Sequence, residues 1–207
     1  LHASLLPNYR GAAPINWAII NGEKKSGITT FLINEEIDKG AILLQEEINI
    51  EQSFSAGDLH DIMMNKGAKL ILETVNKLAT NSLKKIDQIA NQNELNKAPK
   101  LSKENCKINW NNKALFIKNH IKGLSPFPGA WTTLSNNEHN KHFKIYNAEE
   151  TNMILNKGEL KIIDQKLYIG CEKGSIHLIE VQIEGKKRMS SADFIKCNSS
   201  INNYFAL

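Results

Sequence analysis

From Gly27 to Ile33 the chain reads Gly-Ile-Thr-Thr-Phe-Leu-Ile, a β-branched and apolar run that predicts a buried strand. Ala41 to Ile50 resumes this character, with Ile42, Leu44, Glu46 and Ile48 on one face and Leu43, Gln45 and Glu47 on the other. Between them the polar stretch from Asn34 to Gly40, closed by glycine, predicts a loop. Ahead of both, Pro14 followed by Ile15-Asn16-Trp17-Ala18-Ile19-Ile20 predicts a short helix, with proline in its first turn and Gly22 just past its end. Ser55-Ala56-Gly57-Asp58 opens a longer helix: Ser55 can cap it, and Asp58 can reach back to the cap nitrogen. Leu59, Ile62, Met63, Lys66, Leu70, Val75 and Leu78 follow at helical spacing, which predicts an amphipathic helix ending near Thr80.

The pattern then lapses. Residues 81–104 contain Asn91-Gln92-Asn93 and Ala98-Pro99-Lys100 but few large apolar groups, a linker composition that marks a domain boundary. We expect a first domain at 1–90, a linker at 91–104 and a second domain at 105–207. In the second, Lys113 to Leu124 predicts a helix, and Phe143–Tyr146, Lys166–Cys171 and Ile176–Ile183 alternate as strands do. Short strands separated by turns such as Glu172-Lys173-Gly174 predict a small β-barrel or sandwich.

Composition changes this picture little. At 207 residues, 41% hydrophobic and 23% charged, the chain has the make-up of an ordinary globular protein. No apolar run approaches the ~20 residues that span a bilayer, and no signal peptide opens the chain, so no membrane association and a cytoplasmic location are expected. Cys106, Cys171 and Cys197 are widely spaced, show no zinc pairing and are expected as reduced thiols. Charge says more. Leu1–Pro99 carries 10 Lys+Arg against 12 Asp+Glu, whereas Lys100–Leu207 carries 16 against 10. A basic second half suits a polyanion, nucleic acid being the usual one, although lysine-rich surfaces also occur without one. The chain opens on Leu rather than Met, which points to a processed protein or, more simply, to a fragment.

His2 and Asp38 are the first candidates for chemistry. One follows a strand-like stub and the other sits in a loop between two strands, places where α/β folds put active groups. A carboxylate beside an imidazole fixes its tautomer and stabilises its cation, as general acid–base work requires. An isolated His or Asp is more often structural, and spacing alone does not bring these two together.

The motifs around them resemble a known family. His2-Ala3-Ser4-Leu5-Leu6-Pro7, then Tyr9-Arg10-Gly11-Ala12-Ala13-Pro14-Ile15, resembles the signature of the folate-dependent formyltransferases, in particular those acting on methionyl-tRNA. Gly27-Ile28-Thr29-Thr30-Phe31 followed by Ile37-Asp38-x-Gly40 is similar to a second motif of that family. So are Ala98–Glu104 with Ile108-Asn109-Trp110, the run Leu124–Thr132 and the run Glu184–Ser190, all in order along the chain. The resemblance implies an α/β fold: the C-terminal part of a formyltransferase-type, Rossmann-like parallel-sheet domain, joined to a C-terminal OB-like β-barrel that helps hold tRNA. It implies a formyl group moving from 10-formyltetrahydrofolate to the amine of methionyl initiator tRNA, with no metal, in a monomer. His2 and Asp38 fall on the family's catalytic residues, and Ser4, Leu5, Leu6 and Pro7 on its folate-contacting loop. The family's third catalytic group, an Asn, would stand one residue before Leu1.

Alternatives stay open at this level. His2 stabilises a developing oxyanion while Asp38 takes the amine proton, or His2 is itself the base. The chain belongs to another folate formyltransferase or hydrolase, or is a basic RNA-binding module without chemistry, or is an inactive truncation. Ser4–Pro7, read without the resemblance, is an apolar turn into a helix; Gly11 meets a backbone demand and Arg10 forms a surface ion pair. Lys186, Lys187 and Arg188 follow Gly185 on an expected turn and offer charge to tRNA phosphates, although a solvated turn is the commoner role. Trp17, Trp110 and Trp131 are expected as core or rim aromatics, and His60, His120 and His177 are given no role. Lacking upstream strands, residues 1–90 alone should be poorly folded, whereas 100–207 should fold independently.

Overall fold

The computed structural model describes residues 1–89, 95–136, 139–198, 201 and 204–207. The chain divides into two units, Leu1–Leu101 and Ser102–Leu207. The first four residues of the expected linker, 91–94, lie outside the described residues.

In the first unit, β1 (Arg10–Gly11) is followed by α1 (Pro14–Ile20), β2 (Lys25–Phe31), β3 (Ile42–Asn49), α2 (Ala56–Ala79) and β4 (Lys97–Ala98). β2 and β3 pair antiparallel across the 34–40 loop. Their inner face, through Ile28 and Ile48, meets Ile19 of α1 and Leu59, Met63 and Leu70 of α2 in one core. α2 starts as its sequence requires: the Ser55 hydroxyl accepts from the Asp58 N–H and the Asp58 carboxylate accepts from the Ser55 N–H. Its buried row runs Leu59, Met63, Gly67, Leu70, Thr74. Val75 and Leu78, expected inside, are exposed, because Thr74 takes the inner position and shares a 2.9 Å hydrogen bond with Thr30.

Linker composition hides two further pairings in this unit. Ile86 exchanges backbone hydrogen bonds with Ile42, and β4 runs parallel to β1, with Arg10 opposite Lys97 and Gly11 opposite Ala98.

The second unit holds α3 (Ala114–Gly123), then β5 (Ala130–Ser135), β6 (Asn140–Thr151), β7 (Leu160–Ile163), β8 (Lys166–Gly170), β9 (Ser175–Ile183), β10 (Met189–Ser190), α4 (Ser191–Cys197) and β11 (Phe205–Ala206). Strand order is β11-β5-β6-β9-β8-β7, with β10 on β9. The two ends of that order meet: Glu159 bridges Phe205, and the Ala206 N–H donates to the Gly158 carbonyl, so the sheet closes into the expected barrel. Phe143, Ile145, Leu167 and Ile169 fill it from the strands, and Ile117, Ile121 and Phe194 from the helices. β5, β7, β10, α4 and β11 escaped the sequence reading because each is short or half polar.

Candidate active site

His2 is fixed before its side chain does anything. Its N–H and C=O exchange hydrogen bonds with Thr29 at 2.8 and 2.9 Å, which pins it to the edge of β2. The ring is buried and stands at 89° to that of Phe31, the centroids 6.5 Å apart. Nε2 lies 2.9 Å from the Tyr9 carbonyl. A carbonyl only accepts, so Nε2 carries the proton and Nδ1 is the nitrogen left to act. Nδ1 faces Asp38 Oδ2 at 3.7 Å, close enough for an ion pair and too far for a direct hydrogen bond. The two residues that the sequence offered separately therefore share one site.

Asp38 sits at φ 54 in the loop between β2 and β3. Its Oδ2 accepts the Gly11 N–H at 3.0 Å. Gly11 has φ +127, and a Cβ there would lie 2.4 Å from the Ala98 carbonyl oxygen, so the site needs glycine at this position. The Asp38 carbonyl accepts from Gln88 Nε2 at 2.9 Å and from Arg10 Nε at 3.2 Å. Gln88 also donates to Gly40 and accepts from the Arg10 guanidinium. Arg10 is thus a clamp on the Asp38 loop rather than a surface ion pair. Gln88 went unnoticed in the sequence because it lies in a stretch with no periodicity; only the preceding pairing of Ile86 brings it here.

Tyr9 was missed too. Its hydroxyl donates to Glu23 at 2.5 Å and accepts from Asn21 and Asn96, an arrangement that holds its carbonyl against His2. Burial, then the Glu23 carboxylate, pushes the Tyr9 hydroxyl above the usual tyrosine range, so it stays protonated.

The four loop residues Ser4–Pro7 divide. Ser4 and Leu6 are buried. The Ser4 hydroxyl donates to the Asn8 carbonyl, and the Leu6 N–H donates to Thr29, whose hydroxyl donates in turn to the Ser4 carbonyl. Leu5 and Pro7 are partly exposed, and Leu5 packs over Gly27. Pro7 lines a cavity of about 480 Å³ with Arg10, Gly11, Ala12, Ile37, Lys39 and residues 95–100. Ile37 and Lys39 are the neighbours of Asp38, so the cavity adjoins the His2–Asp38 pair. Four of its lining residues are cationic and none is acidic.

In the second unit, Lys186 and Lys187 are exposed after Gly185, whose φ of +76 makes the turn. Arg188 is engaged, giving two hydrogen bonds to Glu180 and lying 4.2 Å from the Tyr146 ring centroid. No group of three or more His, Cys, Asp or Glu that could hold a metal occurs among the described residues. No helix among them is long and apolar enough to cross a membrane.

Residues 1–75 match the family described as formyl transferase, and residues 100–199 its C-terminal domain. A methionyl-tRNA formyltransferase of Azobacteroides pseudotrichonymphae is 47% identical over 208 residues, covering 96% of this chain and 64% of that protein. One of Flavobacterium johnsoniae is 45% identical over 197 residues, covering 94% and 62%. The chain thus spans a little under two thirds of the length of these relatives. A crystal structure of HypX from Aquifex aeolicus in complex with tetrahydrofolic acid shares the fold, with a TM-score of 0.69 at 20% identity over 94% of this chain and 34% of that one.

Proposed function

The chain belongs to the formyl transferase family, and from that premise we propose that it carries the His–Asp part of a site that formylates methionyl initiator tRNA from 10-formyltetrahydrofolate. The observation that carries this reading is the 47% identity, over 96% of the chain, to a protein named for that reaction. In this reading the protein works as a monomer in the cytoplasm.

The methionyl amine attacks the formyl carbon, and negative charge gathers on the formyl oxygen. His2, its Nδ1 edge facing the Asp38 carboxylate, lies where it can stabilise that charge. Since Nε2 is committed to the Tyr9 carbonyl and Nδ1 to the oxyanion, the amine proton goes to Asp38, directly or through one water. The bond from the formyl carbon to N10 then breaks, N10 takes up the proton, and tetrahydrofolate leaves. Leu5 and Pro7 are the loop side chains open to a folate ring, while Ser4 and Leu6 hold the loop's shape. The cavity beside Asp38, with Pro7, Ala12 and Ile37 as apolar walls and Arg10, Lys39, Lys97 and Lys100 as cations, suits an apolar aminoacyl group on a phosphate-bearing chain. Lys186 and Lys187 add positive charge for tRNA, and Arg188 adds it once released from Glu180.

Formylation of methionyl initiator tRNA by the full gene product carrying this chain tests the reading. Acid-stable formylmethionyl-tRNA is the expected product. Release of formate from the donor without tRNA would instead identify a hydrolase.

A further inference from the structure

Tyr9 presents its carbonyl to His2 from a backbone conformation that a bulky residue seldom adopts, φ 58. Such a conformation lasts only where its surroundings impose it. Here they do. The Tyr9 N–H donates to the Asn96 carbonyl at 2.8 Å. The hydroxyl of the buried ring donates to Glu23 and accepts from Asn21 at 3.0 Å and from Asn96 at 3.2 Å. Its one donor and two acceptor positions are thereby filled. Asn96 also donates to Glu23 at 3.3 Å, so the side chains of Tyr9, Glu23 and Asn96 are mutually bonded.

Asn96 opens a strap, residues 96–99, that reaches the other half of the site as well. Its N–H donates to Asn8 Oδ1 at 2.8 Å, and Lys97 and Ala98 pair with Arg10 and Gly11. The Ala98 carbonyl accepts from the Ala13 N–H at the start of α1, and the Pro99 carbonyl accepts from Trp17 Nε1 at 2.8 Å. Gly11 lies against Ala98 with no room for a Cβ, and its N–H is the donor to Asp38 Oδ2. One segment therefore grips both the residue that fixes His2 and the residue that fixes Asp38. Were the strap to lift, Tyr9 would relax to a negative φ and turn its carbonyl from Nε2. Gly11 would lose the wall that sets its N–H.

We propose that the 96–99 strap is a positioning element of the active site, with Glu23 and Asn96 as positioning residues that act on His2 through Tyr9. Their work is to keep Nε2 on the Tyr9 carbonyl and Nδ1 turned to Asp38. Docking of the strap is then a condition of formyl transfer as well as of stability. The proposal rests on the reading of His2 and Asp38 as the reacting pair. Asn96 also lines the cavity beside Asp38, whereas Glu23 does not, so a change of rate on altering Glu23 is carried by Tyr9.

The test uses the full gene product with its histidines labelled for nitrogen NMR. The unaltered protein should show a ring N–H signal for His2 Nε2, protected from exchange by the Tyr9 carbonyl and assigned by its loss in His2→Gln. Glu23→Leu and Asn96→Ala should each abolish that signal. Glu23→Leu should also lower kcat by roughly 10- to 10²-fold while changing KM less than about twofold. Glu23→Gln, which keeps an acceptor for the tyrosine hydroxyl, should restore both signal and kcat. Ser55→Ala, which weakens the start of α2 without touching the strap, should lower the unfolding midpoint and leave signal and kcat as they were. A His2 signal that survives Glu23→Leu and Asn96→Ala, whatever the melting temperatures do, overturns the proposal and leaves the contacts structural only. So does a Glu23→Gln variant as slow as Glu23→Leu, which would assign the effect to charge rather than to position. If the signal behaves as expected but the unaltered gene product makes no formylmethionyl-tRNA, the formylation reading falls and the positioning of His2 stands.

Discussion

His2 meets Asp38 because backbone groups do the aligning: Thr29 and Tyr9 hold the imidazole, and the Gly11 N–H holds the carboxylate. Asp38→Asn keeps an oxygen for Gly11 but loses the carboxylate that the proposed mechanism uses as its base. Its formyl-transfer rate is expected to fall by about 10²- to 10⁴-fold, with little change in melting temperature. Gln88→Leu is different in kind. It is not one of the proposed reacting groups, yet its loss strips hydrogen bonds from the Asp38 and Gly40 carbonyls and from Arg10. Leaving those partners unsatisfied should cost about 1–3 kcal/mol in denaturant unfolding. A misplaced carboxylate should also lower kcat more than it raises KM. Gln88→Glu, which retains an acceptor for Arg10 but loses the amide donor, should recover stability in part and activity poorly.

Among the elements, α2 shows best how local chemistry sets a boundary. Its Ser55–Asp58 box lies at the surface, so Ser55→Ala should cost about 1 kcal/mol, readable as a lower midpoint in urea. The outward face of the same helix presents Met64, Ile71, Leu72 and Val75, all more than 40% exposed. An apolar stripe of this kind drives association, so Leu72→Lys should reduce concentration-dependent light scattering without lowering the melting temperature. β2 and β3 were legible from β-branching, but their antiparallel pairing was not, since an apolar run reads the same in either direction.

At the scale of the molecule, acid should act first on the second unit. His120 of α3 is bonded to the Cys106 backbone while its Nε2 is buried without a partner, and burial holds it below the usual histidine range. His142 and His177 are shifted the same way, burial again leading. A histidine depressed in the folded state contributes stability above its unfolded pKa, near 6.5, that is lost as pH falls toward the folded value. Tryptophan-fluorescence unfolding should therefore show a lower midpoint at pH 5.5 than at 7.5, and His120→Leu should narrow that difference. What the sequence determined by itself was whatever is local: the Ser55 cap, the strands of β-branched residues, the basic second half and the motif that singled out His2 and Asp38. Tertiary structure alone decided that Thr74 rather than Val75 faces the core, that Gln88 and Tyr9 set the site, and that the barrel closes through Gly158 and Ala206. The physical reason is common to all three. Each depends on a hydrogen bond to a residue far along the chain (Thr74 to Thr30, Gln88 to Asp38, Tyr9 to Asn96, Ala206 to Gly158), and composition or periodicity within one segment carries no record of its distant partner.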